Sequence, residues 1–177
     1  MRFAYLLSSL LTICIILLTP QTYANDLETE LTAVFVGRFA SYVEWPPSEH
    51  PHFIITVLGE NPFDSKLDRL YRNKQIKDKP VEVRYADTLN QVGLTDILFI
   101  NLHAASDRLS AIQFARQQGM LSISTARGFA DNGGVIQLNI VEQKAQIKIN
   151  HTAALDSGLK IGAPLLSIAT VLRKEQP

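Results

Sequence analysis

Beyond position 24 the 177-residue chain has no cysteine, because its single thiol, Cys14, lies in the N-terminal apolar segment. The remainder forms no disulfide, offers no cysteine nucleophile and gives no thiolate to a metal, so an oxidising compartment is harmless to it. Charge of one sign is also lacking: 17 basic and 17 acidic side chains balance, and without Arg2 the formal charge is −1. Near-neutrality argues against a wide nucleic-acid or anionic-membrane surface. After Leu18 no apolar run is long enough to cross a bilayer, so the expectation is a soluble mature chain. There is no Gly-x-Ser-x-Gly elbow, no His-Glu-x-x-His helix, no glycine-repeat phosphate loop, no internal repeat and no low-complexity linker. The usual marks of hydrolases and nucleotide enzymes are thus missing, and no cofactor is expected.

The first feature present is an export signal. Arg2 supplies a positive start, Phe3 to Leu18 is a nearly uninterrupted apolar run of 16 residues, and Pro20 breaks it before Thr22-Tyr23-Ala24. Such a run is short for a spanning helix, which needs about 20 residues, so cleavage after Ala24 is expected and a retained anchor is the alternative. Lipid attachment fits poorly, since Cys14 follows bulky Ile13 within the run. The domain expected is 25–177, whose 153 residues suit one self-sufficient core.

Asp26 reads as the cap of a first helix with Leu31, Val34, Phe35, Phe39 and Tyr42 on one stripe, ended by Pro46-Pro47. Phe53 to Leu58 reads as a buried strand, then Gly59-Glu60-Asn61-Pro62 as a turn opening a helix that lasts to about Arg72. Strands follow at Val81 to Tyr85 and Ile97 to Ile100, then Ser106 precedes a helix with Leu109, Ile112 and Ala115 on one face, closed by Gly119, and a strand runs from Met120 to Ser124. Val135 to Val141 and Ala145 to Ile149 alternate like a hairpin, before a short helix near Thr152 to Ser157 and a longer one from Pro164 with Leu165, Ile168, Ala169 and Leu172 on one face. The predicted fold is a single-domain α/β sandwich with a mixed, partly parallel sheet.

Open α/β sheets place ligands beyond the carboxyl ends of their strands, which groups Gly59, Asn61, Asn101, His103, Ser106, Ser124 and Thr125 as rim residues. They suit either a periplasmic small-ligand site or plain loops and caps. Ser122, Ser124 and Thr125 are hydroxyls without a base beside them in sequence, and His103 is the residue on which an unrecognised hydrolase would depend. His50-Pro51-His52 beside Glu49 looks like a metal clip but lacks a second ligand pair, so no metal is expected. Trp45, the only tryptophan, suits the core or an interface. The last helical stripe suits a cover for the sheet or a homodimer seam.

Several segments together resemble the YfiR family of periplasmic proteins. Phe39, Tyr42, Val43, Trp45 and Pro46 follow its "F-x-x-[YF]-V-x-W-P" signature, and Val57-Leu58-Gly59-Glu60-Asn61-Pro62-Phe63 its strand with G-x-[DN]-P-F. Val81, Val83 and Ile97 to Ile100 follow its next strands. Phe129-Ala130, Gly133-Gly134 and Ile136 match "G-F-A-x-x-G-G-x-I", and Ile149-Asn150, Ala153-Ala154, Leu159, Ile161, Leu165 and Leu166 its closing block. The resemblance spans roughly residues 31 to 172. It implies a non-enzymatic regulator that holds the periplasmic sensor domain of an inner-membrane diguanylate cyclase inactive until an outer-membrane lipoprotein sequesters it, with biofilm formation downstream and no nucleic acid as partner. Two departures stand out: the cysteines that tune stability in relatives are missing, so redox control is not expected, and Gly37-Arg38 replaces the residues common there. The candidate contacts for partner or ligand are Arg38, Tyr42, Trp45, Asn61, His103 and Ser124.

Overall fold

The computed structural model describes residues 20–173, with side chains from position 26 onward. Most of the predicted export signal therefore lies outside the described residues. At the centre of the fold is β2 (Phe53–Gly59), whose unbroken run of buried residues is explained by cover on both faces. Phe53, Ile55 and Val57 enter one core, and Leu58 enters the other. Ile97–Asn101 forms β5, Leu121–Ser124 forms β6 and Ile136–Val141 forms β7, all parallel to β2 on one side. Lys79–Ala86 forms β4, parallel to β2 on its other side. With β3 (Gln75–Ile76), β8 (Lys144–Asn150) and β10 (Thr170–Leu172), the order across the sheet is β10-β8-β7-β6-β5-β2-β4-β3. The sheet is mixed, since β3 and β8 each run antiparallel to a neighbour. A two-stranded ladder of β1 (Val43–Glu44) and β9 (Lys160–Ile161) stands apart.

The larger core packs α1 (Pro20–Arg38) and α2 (Lys66–Tyr71) with α4 (His151–Asp156) and α5 (Ala163–Ile168) onto one face of the sheet. The smaller core packs α3 (Ala105–Gln117) and Phe129 onto the other. This is the single-domain α/β arrangement read from the sequence, and the order of elements holds. Its elements differ from that reading in five places, some for local reasons and some through contacts distant in sequence.

The first helix already runs at Asp26, which is no cap: its carboxylate pairs with Lys66 Nζ at 2.8 Å. That helix stops at Arg38 and tightens into a 3-10 turn over Phe39–Tyr42. One rung earlier the buried Tyr71 hydroxyl accepts the Gly37 N–H at 2.9 Å and donates to the Ala33 carbonyl at 2.9 Å, and a side chain inserted at a helical rung ends regular winding. The second helix begins at Lys66 rather than Pro62, because Asn61 Oδ1 accepts the Phe63 N–H at 2.9 Å and Asp64 takes φ 49°, which closes a turn first. A hairpin the sequence reading passed over, β3 with the start of β4, turns at Lys77 and Asp78 with φ 52° and 62°. The expected C-terminal helix is only six residues long; Thr170–Leu172 instead pair in parallel with Lys148–Asn150, as β-branched Thr170 and Val171 favour. The stripe is thereby broken: Leu165 is buried, whereas Ile168 is 70% exposed.

Candidate functional site

The chain leaves α1 through exposed Arg38 and Tyr42 and enters β1, where Val43 pairs with Ile161 and Glu44 with Lys160. The Tyr42 carbonyl accepts the Gly162 N–H at 2.7 Å, which fixes the backbone while the ring stays at the surface. Trp45 follows, half-buried. Its ring meets Phe53 edge-on at 5.4 Å, and its indole N–H donates to the Asp96 carbonyl at 3.3 Å. Asp96 is the junction beneath it. Its carboxylate accepts the Ile54 N–H at 2.7 Å, its own N–H donates to Ile54 O at 2.9 Å, and its carbonyl also accepts the Leu121 N–H at 2.9 Å. One residue thus ties together the amino ends of β2, β5 and β6.

Above this junction opens a cleft of about 430 Å³, with Trp45, Pro46, Leu94, Phe114 and Met120 as its apolar wall and His50 at its edge. Leu94 is 58% exposed, a large apolar side chain held out to solvent beside a tryptophan and two prolines. An apolar centre with an aromatic anchor is what protein interfaces are built around. Leu94, Phe114 and Asp96 escaped the sequence reading because they come from a loop and a helix flank without periodic pattern. Gly93-Leu94-Thr95-Asp96 reads as an ordinary turn.

The rim residues lie at the opposite end of the sheet and are engaged with the fold itself. A Cβ on Gly59 would collide with the Asn101 carbonyl, so the tight exit from β2 requires glycine, here at φ 93°. Asn101 donates to Glu60 O at 2.8 Å, and Asn61 donates to Asp64 O at 2.8 Å besides closing its own turn. His103 Nε2 lies 3.0 Å from Glu60 Oε2, both well exposed. Ser124 is buried, donates to the Ile100 carbonyl at 2.6 Å and accepts the Ala126 N–H at 3.1 Å, while Ser122 accepts the Val135 N–H at 3.0 Å. Both hydroxyls therefore stitch backbone. The six candidates divide accordingly: Trp45 lines the cleft, Arg38 and Tyr42 are exposed on the segment leading into it, Asn61 and His103 stand at the rim, and Ser124 lies inside.

Displaced titrations belong to structural pairs. Burial pushes the Tyr71 phenol up to about 12. Tyr85 is raised by burial and by its hydrogen bond to Asp68, and the Arg84 guanidinium holds the Glu82 carboxyl below its usual range. Among the described residues no three His, Cys, Asp or Glu side chains gather where one metal ion would sit.

The blocks that carry the family resemblance prove to be joints of the fold. Phe39, Phe63 and Phe129 are buried plugs, Phe63 lying against Phe99 at 4.8 Å. A Cβ on Gly134 would strike the Phe129 ring. Asn150 donates to Ala130 O at 2.9 Å and caps α4 by accepting the Ala153 N–H at 2.8 Å, so the "G-F-A" and "I-N-x-x-A-A" blocks meet through one side chain. A search of curated proteins gives no match. One solved structure, titled as the ABC domain in complex with L-Trp from Streptococcus pneumonia, aligns over 68% of this chain and 55% of its own, with 12% identity and a TM-score of 0.48. The chain spans about half of that protein, and nothing about ligand or role passes from it. The family model described as YfiR/HmsC-like matches residues 29–170, and over that span, which takes in both cores, the cleft and the rim, the chain belongs to the YfiR/HmsC-like family.

Proposed function

We propose that this protein is a periplasmic inhibitor of an inner-membrane diguanylate cyclase, acting by binding the cyclase's sensor domain through the cleft end of the sheet. The observation that carries this reading is membership, over residues 29–170, in a family of periplasmic regulators of diguanylate cyclases. The apolar N-terminal segment with its small-residue site at Ala24 fits it, as does the engagement of the buried serines in backbone hydrogen bonds. Trp45 and Leu94, which line the cleft, are the proposed anchors, joined by exposed Tyr42 and Arg38 from the segment that leads into Trp45. An outer-membrane lipoprotein that competes for this surface would relieve inhibition, and a homodimer would present it twice.

Inhibition of this kind is a population shift. The protein must bind the inactive sensor conformation more tightly than the active one, by about 1.4 kcal/mol for each tenfold change in the equilibrium. Exposed Leu94 allows a test that leaves the core untouched. Isothermal titration of the mature protein with the purified sensor domain should show saturable binding, and Leu94→Arg should weaken it at least about tenfold, as hot-spot losses do. Saturable binding unaffected by Leu94→Arg and Tyr42→Ala would move the contact elsewhere; no binding at all would remove the function.

A further inference from the structure

The balanced total charge conceals a strong local asymmetry. From Lys66 to Lys79 there are six basic and two acidic side chains, in a chain whose totals cancel. Lys66 is paired with Asp26, Arg69 donates to Ser65 Oγ, and Lys79 donates to the Ser48 carbonyl. Arg72, Lys74 and Lys77 have no such partner among the described residues and are exposed. Of the acids nearby, Asp68 is hydrogen-bonded by Tyr85, Asp78 shares the hairpin turn, and Glu44 lies across a small cleft from Lys77 and Lys79. The cations stand on a defined edge: Arg69 lies on the outer side of α2, Arg72 follows its last residue, Lys74 precedes β3 and Lys77 follows it in the Lys77-Asp78 turn. Val81 N–H to Lys74 O at 3.0 Å ties the hairpin to the sheet.

We infer that this basic edge is a docking surface for the anionic phospholipid headgroups of a bilayer, and that it holds the protein close to the membrane in which its target sits. The inference rests on the proposed function for its purpose but not for its chemistry. The segment from Arg72 to Lys79 carries no aromatic side chain of its own; Trp45 and Phe53 line a small cleft together with Lys77 and Lys79, and Arg72 and Lys74 do not line that cleft. Unpaired, well-hydrated cations spread along a ridge suit a diffuse anionic plane, whose attraction adds residue by residue and falls off within a Debye length. An acidic protein surface is the competing occupant and is separated by the test.

The test is co-sedimentation of the mature protein with vesicles of phosphatidylglycerol and phosphatidylethanolamine, and with vesicles of phosphatidylcholine alone. Binding to the first and not the second is expected, fading as salt rises. The triple variant Arg72→Gln/Lys74→Gln/Lys77→Gln should bind about a hundredfold more weakly, at about fivefold per charge removed. The inference is overturned if the triple variant binds like the parent, if neutral vesicles bind equally well, or if the variant aggregates with unchanged vesicle binding, which would make these lysines guards of an edge strand. Titration with the soluble sensor domain in the absence of lipid is the control: it should be unchanged in the double variant Arg72→Gln/Lys74→Gln, which spares Lys77 beside Trp45. A loss there would make the edge a protein contact and overturn the lipid assignment, and an absence of sensor binding by the parent would count against the proposed function alone.

Discussion

Introducing a single methyl group at Gly37 should change sign in its effect on stability according to what occupies position 71. A Cβ at Gly37 would overlap the Tyr71 hydroxyl and ring, so Gly37→Ala forces the phenol out of its place between the Gly37 N–H and the Ala33 carbonyl. Losing two buried hydrogen bonds, with some repacking, costs about 2–4 kcal/mol. The helix preference of alanine over glycine returns about 1 kcal/mol. The net expectation is a loss of about 1–3 kcal/mol, which for a chain of this size lowers Tm by about 3–10 °C. In a Tyr71→Ala background the obstruction is gone, and the same Gly37→Ala change should stabilise by up to about 1 kcal/mol. Urea denaturation of the four proteins closes a double-mutant cycle with a coupling of about 2–4 kcal/mol. Equal effects of Gly37→Ala in both backgrounds would show that the phenol does not occupy this rung and would remove the reason given for the helix ending at Arg38.

The same residue predicts a pH dependence: the Tyr71 pKa is raised to about 12 by burial, from about 10 when unfolded, so its contribution is complete below pH 10 and is lost as pH rises towards 12. The stability gap between parent and Tyr71→Phe should therefore narrow by about 2–3 kcal/mol across that window, measured by denaturation at fixed pH; a constant gap would contradict it. Asp96→Ala removes the carboxylate that accepts the Ile54 N–H and should cost about 1–3 kcal/mol, and it should also shift the emission of Trp45, whose indole lies on the Asp96 carbonyl. Because Trp45 is the only tryptophan, binding of the sensor domain at the cleft should move its fluorescence to the blue if the sensor fragment is itself free of tryptophan. A reductant should leave the Tm of the protein processed after Ala24 unchanged, since no thiol remains.

How much of this was legible in sequence depended on how local the cause was. β2 could be read directly, because a strand covered on both faces needs six buried residues in a row and Phe53 to Leu58 supplies them. The β7–β8 hairpin was equally plain from its alternation, which burial follows in β8 and in the second half of β7, while Gln137 is buried as well. The end of α1 was not, because Tyr71 sets it from 34 residues away. The third β strand was missed because its turn is Lys77-Asp78, where asparagine and glycine would be the usual signal. Ala163 to Leu172 carries helical spacing throughout, yet pairing with β8 prevails over its last three residues. For the candidate site, aromatic content pointed to Tyr42 and Trp45, but Leu94 and Phe114 join them only through the tertiary fold. Ser124 was misleading for a physical reason: a hydroxyl at a strand end looks available in sequence, and here it closes a backbone link inside the protein.

The most direct measurement is the rate of cyclic di-GMP synthesis by the full-length cyclase in vesicles as the mature protein is titrated onto its sensor side. The account predicts a saturable fall in rate that follows sensor occupancy and is shifted to higher concentration by Leu94→Arg. A rate that stays constant while the sensor domain is saturated would contradict it.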